Sequence, residues 1–205
     1  RDRINPISKF DEWIQSIIND LNSGKRVFIF YPFKTKTQKI KSMAQIQQII
    51  ESRTGRTGLI YNADVNDSIT KTLYDVNKVW GQYDFIITNN KITVGVNYDS
   101  NIKMFDKVYI AAAKFNDARD LIQVSCRCRI INDNTINICF LDGQYVEAYK
   151  NDDYLLDGCP IYQELRTNIL KERYSPLEQT FHFLCSKAGY KSVVNPLEID
   201  SSEIN

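Results

Sequence analysis

Gln123, Arg127 and Arg129 are the residues in this sequence whose types and spacing point most clearly to chemistry. A guanidinium group is always charged, and its forked N–H donors fit phosphate oxygens. Spacings of four and two residues place the three side chains along one helix face and at its end. A helix that follows a parallel strand can aim such side chains out of the sheet edge, where α/β proteins bind ligands. The pattern therefore predicts an arginine finger for phosphoryl transfer, although the run taken alone fits a solvated arginine pair on a surface helix somewhat better.

A second set of polar side chains follows two apolar runs that read as strands. Lysines, hydroxyls and backbone N–H groups suit nucleic-acid phosphates, and an aromatic ring can stack on a base. If both strands belong to one parallel sheet, these side chains share an edge and predict a track for a sugar–phosphate chain. An ordinary basic loop and a polar turn are the alternatives. The candidate nucleic-acid contacts are Phe33, Lys34, Thr35, Lys36, Thr88 and Asn89.

The sequence contains no Gly-x-x-x-x-Gly-Lys-Ser/Thr motif and no acidic pair after an apolar strand. A phosphate-cradling loop and a magnesium site of the usual kind are therefore absent from this sequence. A nucleotide could be contacted by this chain from one side only. Gly95, in Thr-Val-Gly-Val-Asn, suits a tight turn or a close backbone approach to a partner.

The composition is that of an ordinary globular protein, with 205 residues, 43% hydrophobic and 25% charged residues and a net charge of +1. Any nucleic-acid contact must come from a local patch, because the whole chain is not basic. Five scattered cysteines without a signal peptide predict reduced thiols in an intracellular protein. Cys126 and Cys128 are too close in sequence for the usual zinc-ligand loop, and no apolar stretch is long enough to span a membrane.

Strands alternate with helices along residues 1–144, which predicts an α/β fold with a doubly wound parallel sheet. Residues 145–205 change in texture and predict a mostly helical extension. The predicted strands are 26–31, 58–61, 83–88, 107–112 and 137–141. The predicted helices are 8–22, 42–55, about 66–80, one from near 117, one around 161–170 and one over 175–189.

Together these elements resemble the second RecA-like domain of superfamily 2 helicases. Residues 30–37 resemble helicase motif IV, residues 86–88 with 94–96 resemble motif V, and residues 117–129 resemble motif VI. The likeness is greatest to herpesvirus-type replication origin-binding helicases and helicase–primases of large DNA viruses. These share an Asp-Val-Asn…Trp helix, a Val-Gly-Val turn, a Phe-Asp pair and a Gln…Arg-x-Arg end. The resemblance covers roughly residues 8–142.

The resemblance implies the C-terminal motor domain of an ATP-dependent viral DNA-replication helicase. ATP and Mg²⁺ would be bound mainly by a first RecA-like domain, and this chain alone would be inactive. Arg127 and Arg129 would be the fingers, with Gln123 beside them, and Gly95 and Asn97 would lie near the nucleotide. Motifs IV and V would contact the backbone of a DNA single strand.

This sequence departs from the motif VI pattern in two places, since Cys126 replaces a glycine and the second arginine, Arg129, comes one residue early. The common aspartate of motif V is Asn97, which weakens a ribose contact. A non-catalytic RecA-like scaffold that recruits a replication partner through its helical tail is the alternative. Either protein would work inside the host cell, at a cytoplasmic or nuclear replication site.

Overall fold

Short apolar runs of this chain become neighbouring strands of a parallel sheet. The computed structural model describes residues 1–36, 40–62, 67–92, 96–141 and 176–193. Within these ranges seven strands pair in the order β3-β4-β2-β5-β6-β1-β7, and every pairing is parallel. The strands are β1 (Arg3–Pro6), β2 (Val27–Phe30), β3 (Gly58–Tyr61), β4 (Phe85–Thr88), β5 (Lys107–Ala112), β6 (Thr135–Phe140) and β7 (Lys191–Ser192).

Helices cover both faces of the sheet, so the predicted α/β fold with a doubly wound parallel sheet is confirmed. Successive strand residues point to opposite faces, and both faces of β2, β4 and β5 are apolar and buried. This is the pattern of a strand covered on both sides. The helices are α1 (Phe10–Asn22), α2 (Met43–Thr54), α3 (Asp67–Lys71), α4 (Val76–Val79), α5 (Ala118–Ser125) and α6 (Leu177–Lys187).

One face of the sheet packs against α1 and α2. Trp13 and Ile17 of α1 and Ile46 of α2 join Ile29 and Ile87 of the strands in one buried apolar cluster. The opposite face packs against α4, α5 and α6. Its cluster joins strand residues such as Phe28 and Ile110 to helix residues that include Trp80, Leu121, Val124 and Phe181.

Two strands were not predicted. β1 has a single fully apolar buried side chain, Ile4, and it ends in Pro6, so its sequence carries a weak strand signal. β7 is two exposed residues long and lies at the edge of the sheet. Neither strand could be found from hydrophobic alternation, since β1 has one buried apolar side chain and β7 has only two residues.

The single helix predicted for about 66–80 is wrong in its continuity. The chain forms α3, a 3₁₀ turn over Thr72–Asp75, α4 and a second 3₁₀ turn over Trp80–Gln82. Asp75 leaves helical geometry (φ −137°, ψ 60°), and its carboxylate accepts a hydrogen bond from the Lys78 N–H. Such local capping competes with a continuous helix.

The predicted C-terminal extension is described only in part. Helix α6 packs on α5, its Phe181 and Cys185 are fully buried in the main core, and β7 pairs with β1. The predicted helix around 161–170 and the predicted boundary at residue 144 lie outside the described residues, so the division into two units stays a prediction.

Candidate functional site

The predicted chemical side chains meet at one open cavity of about 450 Å³. Gln123, Arg127 and Arg129 all line it, and Asn97 joins them from the segment before β5. Among the described residues that line the cavity, none is acidic. A concave surface with several guanidinium groups and no carboxylate attracts anions. The lining residues are Arg1, Asn97, Ile122, Gln123, Cys126, Arg127, Cys128 and Arg129.

Backbone pairing sets the direction of the two arginines. The Tyr98 N–H donates to the Arg127 carbonyl and the Arg129 N–H donates to the Tyr98 carbonyl, both at 2.7 Å. These bonds hold residues 127–129 in an extended, strand-like pairing, in which alternate side chains point to opposite sides. Cys128 is fully buried in the core, so Arg127 and Arg129 both point outward into the cavity.

The donors of the two guanidinium groups are incompletely used by the protein. The Asn97 amide is best satisfied when its oxygen accepts from Arg129 Nη2 and its nitrogen donates to the Val96 carbonyl, each at 3.2 Å. Arg127 Nη1 lies 3.4 Å from the same carbonyl, a weak hydrogen bond. Arg127 Nε is buried and has no hydrogen-bond partner among the described residues. With the Asn97 amide so oriented, the outer nitrogen Nη1 makes only this weak hydrogen bond within the described ranges, so it is a donor that a ligand in the cavity can use.

Arg1 is a cavity residue that sequence reasoning missed. Its Nη2 donates to the Cys128 carbonyl at 2.6 Å, between the two predicted fingers. Burial lowers the pKa of Arg1, yet a guanidinium group stays charged in proteins. Arg1 precedes β1, which gave no strand signal, and no motif marks the residue.

The prediction that the arginines emerge at the carboxyl ends of the strands is wrong. Helix α5 begins near the carboxyl end of β5 and runs back beside it for about 12 Å, at 1.5 Å per residue. The turn after α5 pairs with Tyr98 and with Phe105, and Phe105 lies just before the first residue of β5. Both arginines come after the C-terminal end of α5 in the chain. They therefore lie toward the amino ends of β5 and β6.

The loops predicted to contact nucleic acid do share the carboxyl edge of the sheet. β2 and β4 are neighbours, and the Tyr31 N–H donates to the Thr88 carbonyl at 2.8 Å. Residues 33–36 and Asn89 therefore leave adjacent strands. Thr35 and Lys36 are exposed, and Phe33, Lys34 and Asn89 are half-buried.

Thr88 is the exception among these predicted contacts. Its side chain is fully buried, and its hydroxyl donates to the Asn89 carbonyl at 3.1 Å. The prediction that this side chain contacts a nucleic acid is wrong, because a strand residue that faces the core cannot reach a backbone phosphate.

One stretch of chain connects the two surfaces. It leaves the carboxyl end of β4 at Thr88, forms a 3₁₀ turn over Asn90–Ile92 and reaches Tyr98, which pairs with the arginine segment. Tyr98 is fully buried, with its ring 5.7 Å from Trp80 and 5.1 Å from Phe105, centroid to centroid. Gly95 lies outside the described residues, so its role stays a prediction.

A second cavity, of about 410 Å³, lies at the amino ends of β2 and β4. Its one arginine, Arg26, donates to the carbonyls of Trp80, Tyr83, Lys103 and Met104. Its guanidinium carbon also lies 4.4 Å from the centre of the Phe105 ring. Arg26 ties loops together and has little donor capacity for a ligand.

The part of the chain that the structure describes offers neither a metal site nor a membrane-spanning helix. It contains no group of three potential metal-ligating side chains. Burial raises the pKa of the Cys128 thiol and raises that of Cys185 to about 12, so both stay protonated and unreactive. No helix in the described ranges has the length and apolar character needed to cross a bilayer.

No protein-family model and no curated protein sequence matches the chain. Among solved structures, Mycobacterium smegmatis helicase Lhr bound to ssDNA and AMP-PNP is 12% identical with a TM-score of 0.48, over 68% of this chain and 19% of that one. The C-terminal part of the Fun30 ATPase domain is 16% identical, with a TM-score of 0.43, over 64% and 42%.

A variant of S. cerevisiae Dbp5 bound to RNA and ADP BeF3 is 11% identical, with a TM-score of 0.46, over 92% of this chain and 45% of that one. The chain thus spans less than half the length of each of these three structures. Likenesses of this size assign neither a family nor a function.

Proposed function

We propose that this chain is the arginine-bearing half of an ATP-driven nucleic-acid motor, the second RecA-like domain of a superfamily 2 helicase. The observation that carries the proposal is the pairing of Tyr98 with Arg127 and Arg129. This pairing gathers Asn97, both arginines and Gln123 around one cationic cavity. The sequence has no P-loop, so the cavity suits a nucleotide whose phosphates are held by another domain.

The chemistry assigned to this chain is stabilisation of charge on the γ-phosphate. Arg127 and Arg129 donate to its oxygens as negative charge redistributes in the transition state, and the exposed Gln123 orients a phosphate oxygen or the attacking water. An arginine finger of this kind contributes a factor of about 10³–10⁵ in rate. Mg²⁺, when bound by the other domain, neutralises phosphate charge, and the described residues offer it no ligand group.

Coupling between the two surfaces is part of the proposal. Two backbone hydrogen bonds join Tyr98 to Arg127 and Arg129, so a nucleotide that draws these arginines toward another domain also pulls on Tyr98. Closure of the two domains around the nucleotide changes the grip of the carboxyl-edge loops on a nucleic-acid backbone.

The finer identity rests on the sequence resemblance over roughly residues 8–142. On that basis the track is DNA, the setting is replication of a large DNA virus inside its host cell, and the helical tail binds a replication partner. Two features favour a non-catalytic scaffold as the second candidate. The Asn97 side chain accepts a hydrogen bond from Arg129 and so uses one of the donors of that guanidinium group. Cys126 occupies the position at which motif VI has glycine.

The test is ATP hydrolysis by the natural polypeptide in which this chain occurs. Arg127→Ala is expected to lower kcat by about 10³-fold or more while DNA affinity stays within about twofold. Arg119→Ala, on the first turn of the same helix and away from the cavity, is the matched control and keeps normal turnover. Near-normal turnover in Arg127→Ala removes the finger role, and absence of turnover in the unmodified polypeptide favours the scaffold.

A further inference from the structure

Phe115 is a large apolar side chain that the fold leaves 55% exposed. It lies in the loop between β5 and α5, at the carboxyl edge of the sheet and beside the loop that follows β2. Its ring meets the Phe33 ring edge to face, with centroids 5.6 Å apart and an interplanar angle of 85°. The exposed Phe115 ring and the half-buried Phe33 ring together form an aromatic surface that a ligand can contact.

Hydrogen bonds and packing contacts support both aromatic residues on the side that faces the protein. The Asn116 N–H donates to the Ala113 carbonyl at 2.8 Å, and the Ala113 N–H donates to Asn116 Oδ1 at 2.7 Å, so the turn that carries Phe115 is closed by two reciprocal hydrogen bonds. Phe33 packs against the buried Tyr31, with centroids 5.8 Å apart. A ring that is already fixed loses little conformational entropy when a ligand stacks on it.

The charges around the pair select the kind of ligand. Lys34 and Lys36 follow Phe33, and Lys114 precedes Phe115. Lys36 and Lys114 are exposed, and the nearby carboxylate of Asp117 accepts a hydrogen bond from the Arg119 N–H at the start of α5. Cations that flank an aromatic platform favour a ligand with both a negative backbone and flat rings, which is a nucleic acid.

We infer that the exposed Phe115 ring, supported edge to face by Phe33, stacks on one unpaired base at the carboxyl edge of β2 and β5. Bases inside a duplex are covered by their neighbours and do not present a face, so the ligand is a single strand. The inference rests on the proposed function for the presence of a nucleic acid. It adds Phe115 as a contact residue and states what the contact recognises.

The experiment measures binding of the 205-residue chain to fluorescent oligonucleotides by anisotropy, at about 50 mM salt, where phosphate contacts are strong. The probes are oligo-dT, oligo-U, a duplex and an abasic strand of equal length. Phe115→Ala is expected to weaken binding of both single strands by about tenfold, since one stacked base contributes about 1–3 kcal/mol. Phe115→Trp restores affinity, and Ile102→Ala, which truncates a still more exposed apolar side chain at the opposite edge, changes nothing.

The abasic strand separates stacking from a general disturbance of the surface. Binding of this probe is expected to be weaker than that of oligo-dT and unaffected by Phe115→Ala. Equal loss of affinity for the abasic and normal strands overturns the stacking role, as does unchanged affinity for every probe or a preference for duplex. Failure of the unmodified chain to bind any probe, or binding that ignores Phe115, overturns this inference, whereas the arginine-finger role is tested separately by the turnover of Arg127→Ala.

Discussion

The sequence predicted individual residues best where their role did not depend on whether the side chain is buried. The spacing of Gln123, Arg127 and Arg129 led to a shared cavity. Strand-like alternation places both arginines on one side, and Gln123 lies on the last turn of α5 beside them. Thr88 failed because spacing does not reveal which side chain faces the core. Arg1 could not be found at all, since its role depends on a distant backbone carbonyl at Cys128.

Asp20 is a residue whose charge the fold depends on. Burial opposes ionisation of its carboxyl, but hydrogen bonds from Lys25, Tyr109 and Lys107 outweigh burial and hold its pKa below the ordinary value of 3.8. The Lys25 Nζ lies at 2.8 Å, the Tyr109 hydroxyl at 2.6 Å and the Lys107 Nζ at 3.1 Å. Because the pKa of this carboxyl is lower in the folded protein, ionised Asp20 stabilises the fold at pH values above its ordinary pKa. This stabilisation is lost as the pH falls through the lowered pKa.

Asp20→Asn is therefore expected to lower the free energy of unfolding by about 2 kcal/mol at neutral pH. The difference from the unmodified chain should shrink as the pH falls below about 4 and through the lowered pKa of Asp20. Urea unfolding followed across this range measures it. Asp11→Asn, an exposed carboxyl on the same helix, is the control. A difference that stays constant down to the lowest pH contradicts the role of the ionised carboxylate.

Secondary-structure elements were predicted well where local signals agreed. The Ser42–Gln45 capping box forms with both of its hydrogen bonds, and Gly55 ends α2 at a positive φ of 66°. Strand β3 matches its predicted bounds. The break at Asp75 was missed because the apolar spacing continues through it, while its carboxylate caps the following turn. Periodicity reports which face is apolar, and does not report whether the backbone stays helical.

Strand β3 depends on the absence of a side chain at Gly58. A Cβ at this position would overlap the ring of the fully buried Phe85 on the neighbouring strand β4. Gly58→Ala is expected to destabilise the protein by about 1–3 kcal/mol, since a packed ring must move. At Gly81 an added Cβ meets nothing closer than 3.5 Å, so Gly81→Ala serves as the matched control in thermal unfolding. Equal melting temperatures for the two variants would show that the Phe85 ring can move aside without loss of stability.

At the scale of the whole molecule, the sequence predicted the parallel sheet and the shared edge of β2 and β4. It could not predict that the arginine cavity lies at the other end of the strands, because that depends on how far α5 carries the chain back. It also missed β1 and β7, whose pairing depends on β6 and α6 placed far away in sequence. The result is a molecule with a cationic cavity toward one end of its strands and a basic, aromatic edge at the other.

Two separated surfaces should respond separately to mutation. The double substitution Lys34→Ala with Lys36→Ala is expected to weaken single-stranded DNA binding by the natural polypeptide. It should also reduce the slope of log affinity against log salt by about 1.4, at about 0.7 per phosphate contact on a single strand. ATP turnover without DNA should stay unchanged, because the cavity residues are untouched. Salt titrations and basal turnover measure the two effects, and an unaltered salt slope excludes phosphate contacts by these lysines.

The position of the γ-phosphate relative to Arg127 and Arg129 tests the central claim most directly. It can be measured in an experimental structure of the natural polypeptide with ADP and a γ-phosphate mimic. We expect at least one of these guanidinium groups to lie within about 3.2 Å of the mimic, with the Tyr98 pairing intact. A nucleotide bound elsewhere, with both arginines still facing solvent, would contradict it.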